Sequence, residues 1–284
     1  MINPRIAKRE VTLHILKTFG IHTNKRLGQN FLIDERVVEG IVEAAEVTAD
    51  DTVLEIGPGI GTLTQALAET GARVVAVELD RRLVDVLSKT LKGYDNVRVV
   101  HGDILQINIL EEVAAPSFKV VANLPYYITT PIIMGLLEQR MPIERLVTMV
   151  QKEVAERMVA PPGGKDYGAL SVAVQYYTEP KVSFLVPPGS FLPPPAVESA
   201  VIRCLVRGEP PVNIKSEKTF FRVVKAAFAQ RRKTLANALK AGGVPAQDLP
   251  EILAAAEIDG ARRGETLSLS EFASIADAWE AKKL

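Results

Sequence analysis

Thr52-Val53-Leu54-Glu55-Ile56-Gly57-Pro58-Gly59-Ile60-Gly61-Thr62-Leu63-Thr64-Gln65-Ala66-Leu67-Ala68-Glu69 is the stretch on which the fold turns. Thr52–Ile56 is short and apolar and reads as a buried strand, Gly57 to Gly61 as a turn, and Thr62 to Glu69 as a helix. The alternation repeats downstream. Arg73 to Glu78 reads as a strand, Arg81 to Leu91 as a helix, Val97 to His101 and Lys119 to Ala122 as strands, and Arg145 to Gln151 as a strand entering a helix from Lys152 to Val159. Upstream, Val37, Val38, Ile41, Val42 and Ala45 recur at helical spacing behind Asp34, a candidate N-cap. Repeated βα units of this length predict an α/β fold with a mainly parallel sheet flanked by helices. Ser171 to Tyr177, Lys181 to Val186 and Ala200 to Val206 read as further strands joined by proline-rich turns, an antiparallel end to that sheet.

Gly208-Glu209-Pro210-Pro211 marks a change of composition, so the 284-residue chain is expected to divide into an α/β domain, residues 1–207, and a small all-helical one, residues 208–284. Apolar residues at 47% and charged residues at 24% exclude disordered and fibrous classes. No apolar run reaches the roughly 18 residues of a membrane span, and Met1 to Gly20 lacks an apolar core followed by a small-residue cleavage site. A cytoplasmic protein, free of membrane and acting as a monomer, is the expectation. The single cysteine, Cys204, sits in an apolar strand and reads as a packed thiol. His14, His22 and His101 are isolated from one another and from Cys204, so no metal site is expected.

Net charge is zero, yet residues 1–29 carry +5 and residues 215–240 carry +7, leaving −12 on the remainder. Two basic segments on an acidic body suit contact with a nucleic-acid backbone. On one helix, Lys218, Arg222, Lys225, Arg232 and Lys233 share an arc of about 100° opposite Phe220, Val224, Ala227 and Phe228. Arg231 would fall on the apolar side, which predicts a break near Gln230 with Thr234 or its neighbours in a second helix.

The glycine turn invites a ligand, since Gly57, Gly59 and Gly61 carry no Cβ and accept positive φ. A dinucleotide fingerprint wants its third glycine one residue later, where Thr62 stands, and Gly61-Thr62-Leu63 lacks the lysine of a phosphate-binding loop. Glu55, just before the turn, would repel a pyrophosphate but suits a ligand carrying a cationic amino group and a sulfonium. Glu78 ends the second strand, where a carboxylate in such folds accepts ribose hydroxyls, and Asp103 follows the third in Gly102-Asp103-Ile104, placed to accept from an adenine amino group.

After the fourth strand comes Asn123-Leu124-Pro125-Tyr126-Tyr127. Methylating an exocyclic adenine nitrogen is difficult because its lone pair is delocalised into the ring. Two acceptors, the Asn123 side-chain carbonyl and the Leu124 backbone carbonyl, can draw that nitrogen toward tetrahedral geometry and stabilise its developing positive charge. Pro125 stiffens the turn, and Tyr126 offers a face on which a base can stack. A base reaching such a pocket must leave its stack, which favours loops. This chemistry fits DNA or RNA, and the two basic segments narrow the partner toward RNA.

Five stretches together resemble the KsgA/RsmA family of ribosomal small-subunit RNA adenine dimethyltransferases: Lys25-Arg26-Leu27-Gly28-Gln29-Asn30-Phe31-Leu32, Leu54 to Gly61, Asn123 to Ile128, Phe191-Leu192-Pro193-Pro194-Pro195-Ala196-Val197, and Phe228-Ala229-Gln230-Arg231-Arg232-Lys233-Thr234-Leu235. The resemblance implies a class I methyltransferase (Rossmann-like) fold and dimethylation at N6 of two adjacent adenosines in the 3′-terminal hairpin loop of 16S rRNA, within the small ribosomal subunit or its precursor. It implies S-adenosyl-L-methionine as donor and S-adenosyl-L-homocysteine as product, held by Asn30, Leu32, Gly57, Glu78, Asp103 and Asn123, alongside Glu55, Gly59 and Ile104. Phe191 would sandwich the adenine against Tyr126, and Asn123 and Leu124 would act on it. Lys25, Arg26, Arg222, Lys225, Arg231, Arg232 and Lys233 would meet the RNA. Two alternatives stand beside this one: an Erm-type methyltransferase of 23S rRNA, which shares the core, and a largely non-catalytic ribosome-assembly factor. The proline-rich Phe191 stretch and Gln230-Arg231-Arg232-Lys233 favour the first reading, and intact Asn123 and Tyr126 weigh against the last.

Overall fold

The structure, a computed structural model, describes residues 4–21, 29–230 and 232–282. Its strands are β1 (Phe31–Leu32), β2 (Thr52–Ile56), β3 (Arg73–Glu78), β4 (Val97–His101), β5 (Phe118–Asn123), β6 (Ile143–Gln151), β7 (Thr178–Val186), β8 (Phe191–Leu192) and β9 (Ser199–Val206). The helices are α1 (Arg9–Thr18), α2 (Glu35–Ala45), α3 (Thr62–Glu69), α4 (Arg81–Thr90), α5 (Ile109–Val113), α6 (Thr129–Glu138), α7 (Lys152–Val159), α8 (Ala169–Tyr177), α9 (Glu217–Ala229), α10 (Leu235–Ala241), α11 (Leu249–Ala255) and α12 (Leu269–Ala281). Two compact units emerge: residues 1–155 with 180–206, and residues 156–179 with 207–284. The segment 156–179 thus clusters with the C-terminal helices, although it lies within the stretch expected to form the first domain.

In the first unit the strand order is β4-β3-β2-β5-β6-β9-β7. The pairs β2/β3, β3/β4, β2/β5 and β5/β6 are parallel, whereas β6 and β9 are antiparallel. The chain runs outward from β2 through β3 to β4 and then crosses back to β5, on the other side of β2. That reversal opens a crevice at the carboxyl ends of β2 and β5, the place where open sheets of this kind receive ligands.

Val53, Val74, Val121 and Val147 point from four adjacent strands to one face, where they are buried with Val37, Val38 and Ile41 of α2 and Leu63 and Leu67 of α3. Burying each such side chain contributes roughly 1.5–3 kcal/mol before the entropy cost of ordering it. α2 begins where the sequence places it, with the Asp34 carboxylate accepting from Arg36 N at 3.1 Å. A second apolar cluster joins Ile6, Ile15, Leu16, Phe31, Ile60, Leu83 and Val86, and so ties α1 to the glycine turn and α4.

Ser171 to Tyr177, expected as a strand, is the body of α8. Ser171, Val172, Ala173, Val174, Tyr176 and Tyr177 are all buried, so the helix is apolar nearly all round. A short, uniformly apolar run carries no period to separate helix from strand. The start is settled by Ser171 Oγ, which accepts from Gly168 N at 3.0 Å. Tyr176 packs at 5.1 Å on Phe220 of α9, within the same unit. The break near Gln230 lies where the helical wheel places it: α9 ends at Ala229, Gln230 leaves in an extended conformation, and Thr234 is the N-cap of α10.

Candidate active site

A cavity opens at the carboxyl edge of β2, β3, β4 and β5. Asn30, Leu32, Glu55, Gly57, Gly59, Glu78, Asp103, Ile104, Asn123, Leu124, Tyr126 and Phe191 all line it. Parallel pairing explains the convergence. Ile56 lies level with Val77 and with Ala122, and Glu78 lies level with His101, so each strand delivers its following residues to the same edge.

Gly57, Gly59 and Gly61 adopt φ of +68°, +63° and +96°, the left-handed region where a Cβ is strained. A Cβ built on Gly57 would meet nothing within 4 Å, whereas one on Gly59 would touch the Phe31 ring at 3.4 Å. Gly57 therefore faces open cavity space, a cradle a side chain would fill. The Glu78 carboxylate braces the turn, accepting from Gly59 N at 3.1 Å and from Asp80 N at 2.9 Å. Burial raises its pKa, and those two backbone donors oppose the rise. Asp80, which sequence reading passed over, caps α4 by accepting from Arg82 N at 3.0 Å and pairs with the Arg82 guanidinium at 2.7 Å, which holds its pKa down.

Glu55 is 1% exposed, and its Oε2 has no hydrogen-bond partner among the described residues. Burial pushes its pKa up to about 8; the nearby Thr64 hydroxyl works against this, and the Glu78 carboxylate adds to it. A fully buried acid with an unpartnered oxygen at a cavity is suited to receive a cationic group. Asp103 is held in its own turn, accepting from Leu105 N and from Gln106 Nε2, both at 3.0 Å.

At the end of β5 the Asn123 amide nitrogen donates to Asn30 O at 3.3 Å, which commits the NH2 group and leaves the amide oxygen for an incoming donor. Pro125 O accepts from Ile128 N at 3.2 Å and from Thr129 Oγ1 at 3.1 Å, closing the turn into α6. Tyr126 is half-buried, and its hydroxyl lies 2.6 Å from Ser199 Oγ, with burial raising the phenol pKa. Tyr127 beside it is 57% exposed. Phe191 reaches the cavity from β8, which pairs antiparallel with β1: Leu32 opposes Phe191, and Phe31 opposes Leu192. Ile33 N donates to Ser190 O at 2.9 Å, and Ser190 Oγ donates to Asp34 Oδ2 at 3.0 Å, so this two-residue ladder is held at its Leu32–Phe191 end. Phe191 is 2% exposed and belongs to the core as well as to the cavity wall. Sequence reading missed Phe31, Thr62 and Asp80, which line the cavity, and Ser199, which meets the Tyr126 hydroxyl; Phe31 and Ser199 are distinguished only by contacts made across the fold.

Among the basic candidates, Arg222 and Lys225 lie exposed on α9 in the second unit, and Arg232 and Lys233 lie exposed in the connection to α10. The helix break removes Arg232 and Lys233 from the arc drawn for one helix. The Arg222 guanidinium sits 4.6 Å over the Trp279 ring and donates to Gly243 O at 3.2 Å. Lys25, Arg26 and Arg231 lie outside the described residues. No group of three or more His, Cys, Asp or Glu among the described residues is arranged to hold a metal ion, and no described helix is long and apolar enough to cross a membrane.

Residues 20–275 match the family described as ribosomal RNA adenine dimethylase. A protein of Moorella thermoacetica named ribosomal RNA small subunit methyltransferase A is 53% identical over 273 residues, covering 93% of this chain and 95% of its own. One of the same name from Alkaliphilus oremlandii is 48% identical over 286 residues, covering 99% of each. Among solved structures, a dimethyladenosine transferase from Plasmodium falciparum is 26% identical with a TM-score of 0.74, covering 86% of this chain and 95% of its own. The 23S rRNA methyltransferase ErmE is 28% identical with a TM-score of 0.67, covering 88% of this chain and all of its own.

Proposed function

The chain belongs to the ribosomal RNA adenine dimethylase family, and from that premise we propose that it transfers methyl groups from S-adenosyl-L-methionine to N6 of two adjacent adenosines in the 3′-terminal hairpin loop of 16S rRNA. The product is N6,N6-dimethyladenosine in the small ribosomal subunit or its precursor, formed in the cytoplasm. One observation carries this reading: the glycine turn after β2 and the Asn123-Leu124-Pro125-Tyr126 turn after β5 share one cavity. A donor site and an acceptor site are thereby held together.

The residues fit the donor. Gly57 leaves room for it, Glu55 offers an unpartnered oxygen to its ammonium, and Glu78, Asp103 and Ile104 flank the strand ends where ribose and adenine would rest. Asn30 and Leu32 close the other side, with Asn30 O fixing the Asn123 amide. When bound, S-adenosylmethionine supplies an electrophilic methyl on a sulfonium. The protein orients the acceptor: Asn123 Oδ1 and Leu124 O accept from the adenine amino group, and the Tyr126 and Phe191 rings hold the base. No general base is required, because the amine proton becomes acidic as the nitrogen gains positive charge. Arg222, Lys225, Arg232 and Lys233, with Lys25, Arg26 and Arg231, would meet the phosphates.

The relatives named for the small subunit, at 48% and 53% identity, favour 16S over 23S rRNA when set against ErmE at 28%. Labelled S-adenosylmethionine and under-methylated small and large subunits provide the test. Label recovered as N6,N6-dimethyladenosine in 16S rRNA is the expected result. Label confined to 23S rRNA would favour the Erm-type reading, and binding to small subunits without transfer would favour the assembly-factor reading.

A further inference from the structure

Tyr126 is held in place by one group that the methyl-transfer chemistry does not otherwise use. Its hydroxyl lies 2.6 Å from Ser199 Oγ, and Ser199 is fully buried, at 0% exposure. Bulk water therefore has no access to replace this partner. The serine itself does not move easily. It is the first residue of β9, opposite Gln151 of β6. The residue before it is tied to the start of α7, since Glu198 O accepts from Lys152 N at 3.0 Å and the Lys152 ammonium pairs with the Glu198 carboxylate at 2.8 Å.

The backbone of the Asn123-Leu124-Pro125-Tyr126 turn is closed by bonds to Pro125 O, but those bonds do not determine the rotamer of the Tyr126 ring. A tyrosine side chain turns about two bonds, and a half-buried ring at a cavity wall has room to do so. Its hydroxyl remains protonated at neutral pH, so the tie to Ser199 persists there. We propose that Ser199 is a positioning residue, which through the Tyr126 hydroxyl fixes the ring against which the target adenine is held. The segment from Ser190 to Ser199 then builds both walls of the base site: Phe191 near its start through the β1 pairing, and Tyr126 near its end through Ser199. This inference rests on the reading of Tyr126 as the base-facing ring.

The consequence falls on the chemical step. A base held by a ring free to rotate spends less time aligned with the donor, and misplacement of about 1 Å costs up to roughly 10²-fold in rate. Ser199→Ala is expected to lower the single-turnover rate of methyl transfer to small-subunit RNA about tenfold, with the affinity for S-adenosylmethionine unchanged. Tyr126→Phe keeps the ring and removes only the hydroxyl, so it should produce the same loss. The double variant should be no slower than either single one, since all three lack the same bond. A purely structural serine would instead lower thermal stability and donor affinity together, without matching Tyr126→Phe.

A wild-type rate in Ser199→Ala, or losses that multiply in the double variant, would overturn the inference. If Ser199→Ala fails to fold, Tyr126→Phe alone decides, and a wild-type rate there overturns it equally. A wild-type protein that places no methyl on RNA adenine would overturn the functional reading and this inference with it. An active wild type with a fully active Ser199→Ala would overturn only the inference.

Discussion

Glu55→Gln offers a test of the buried acid that needs no substrate. Folding takes the carboxyl from water, where its pKa is near 4.5, to a fully buried place where it rises to about 8. Between those values the folded chain holds a proton that the unfolded chain has released, so the stability that Glu55 contributes is fully present below pH 4.5 and falls as pH rises toward 8. Each pH unit in that window costs about 1.4 kcal/mol, and the loss between pH 5 and pH 7 comes to about 2.5 kcal/mol once partial protonation of the unfolded chain near pH 5 is included. Glutamine has nearly the same shape and no charge. The variant, free of ligand, should therefore equal the wild type near pH 5 and exceed it progressively toward pH 7, by roughly 1 M in the urea midpoint. Glu78, whose pKa is also raised, leaves a smaller slope of the same sign in both proteins. The probe must report the first unit. The only tryptophan, Trp279, belongs to the second, so amide hydrogen exchange in peptides covering β2 and β5 is the appropriate measurement. Parallel pH profiles for the two proteins would mean that Glu55 is ionised in the folded chain, and the reasoning from its burial would fail.

Gly57→Ala should cost about 1–2 kcal/mol through its φ of +68° and weaken S-adenosylmethionine at least tenfold in titration calorimetry, because the new methyl enters cavity space that is otherwise open within 4 Å; unchanged affinity would remove Gly57 from the donor site. Asn123→Ala should lower single-turnover methyl transfer by about 10²–10³-fold while RNA binding in a filter assay persists, and lost RNA binding with unchanged turnover on bound substrate would assign the residue a different role. Lys225→Ala, at an exposed position, should reduce RNA affinity and its salt dependence with melting temperature unchanged. Arg222→Ala should lower the melting temperature, since its guanidinium over Trp279 contributes about 0.5–2 kcal/mol. An unchanged melting temperature in Arg222→Ala would refute the packing role read from that contact, and unchanged RNA affinity in Lys225→Ala would remove that residue from the RNA contact.

The alternation from Thr52 to Gln151 was legible because each βα unit carries its own period and its own turn residues, and parallel pairing then places successive strand ends at one edge. Glu55, Glu78, Asp103 and Asn123 meet there because parallel pairing brings the ends of β2 to β5 level. The break at Gln230 was legible for a similar reason: a helical wheel that forces Arg231 onto the apolar side cannot continue. Ser171 to Tyr177 was not, because an apolar run buried on every side has no polar face to reveal its period.

Local pattern, then, determined the parallel sheet, the glycine turn, the acidic strand ends and the Asn123-Leu124-Pro125-Tyr126 turn, since these depend on backbone conformation and residue spacing within a few dozen positions. Tertiary structure alone decided the rest. Phe191 reaches the cavity because β8 finds β1, the Tyr126 hydroxyl finds Ser199, Arg222 is drawn to Trp279, and residues 156–179 cluster with the C-terminal helices. Each of these joins groups far apart in the chain, and their pairing is set by which buried surfaces and polar atoms satisfy one another once the core has formed.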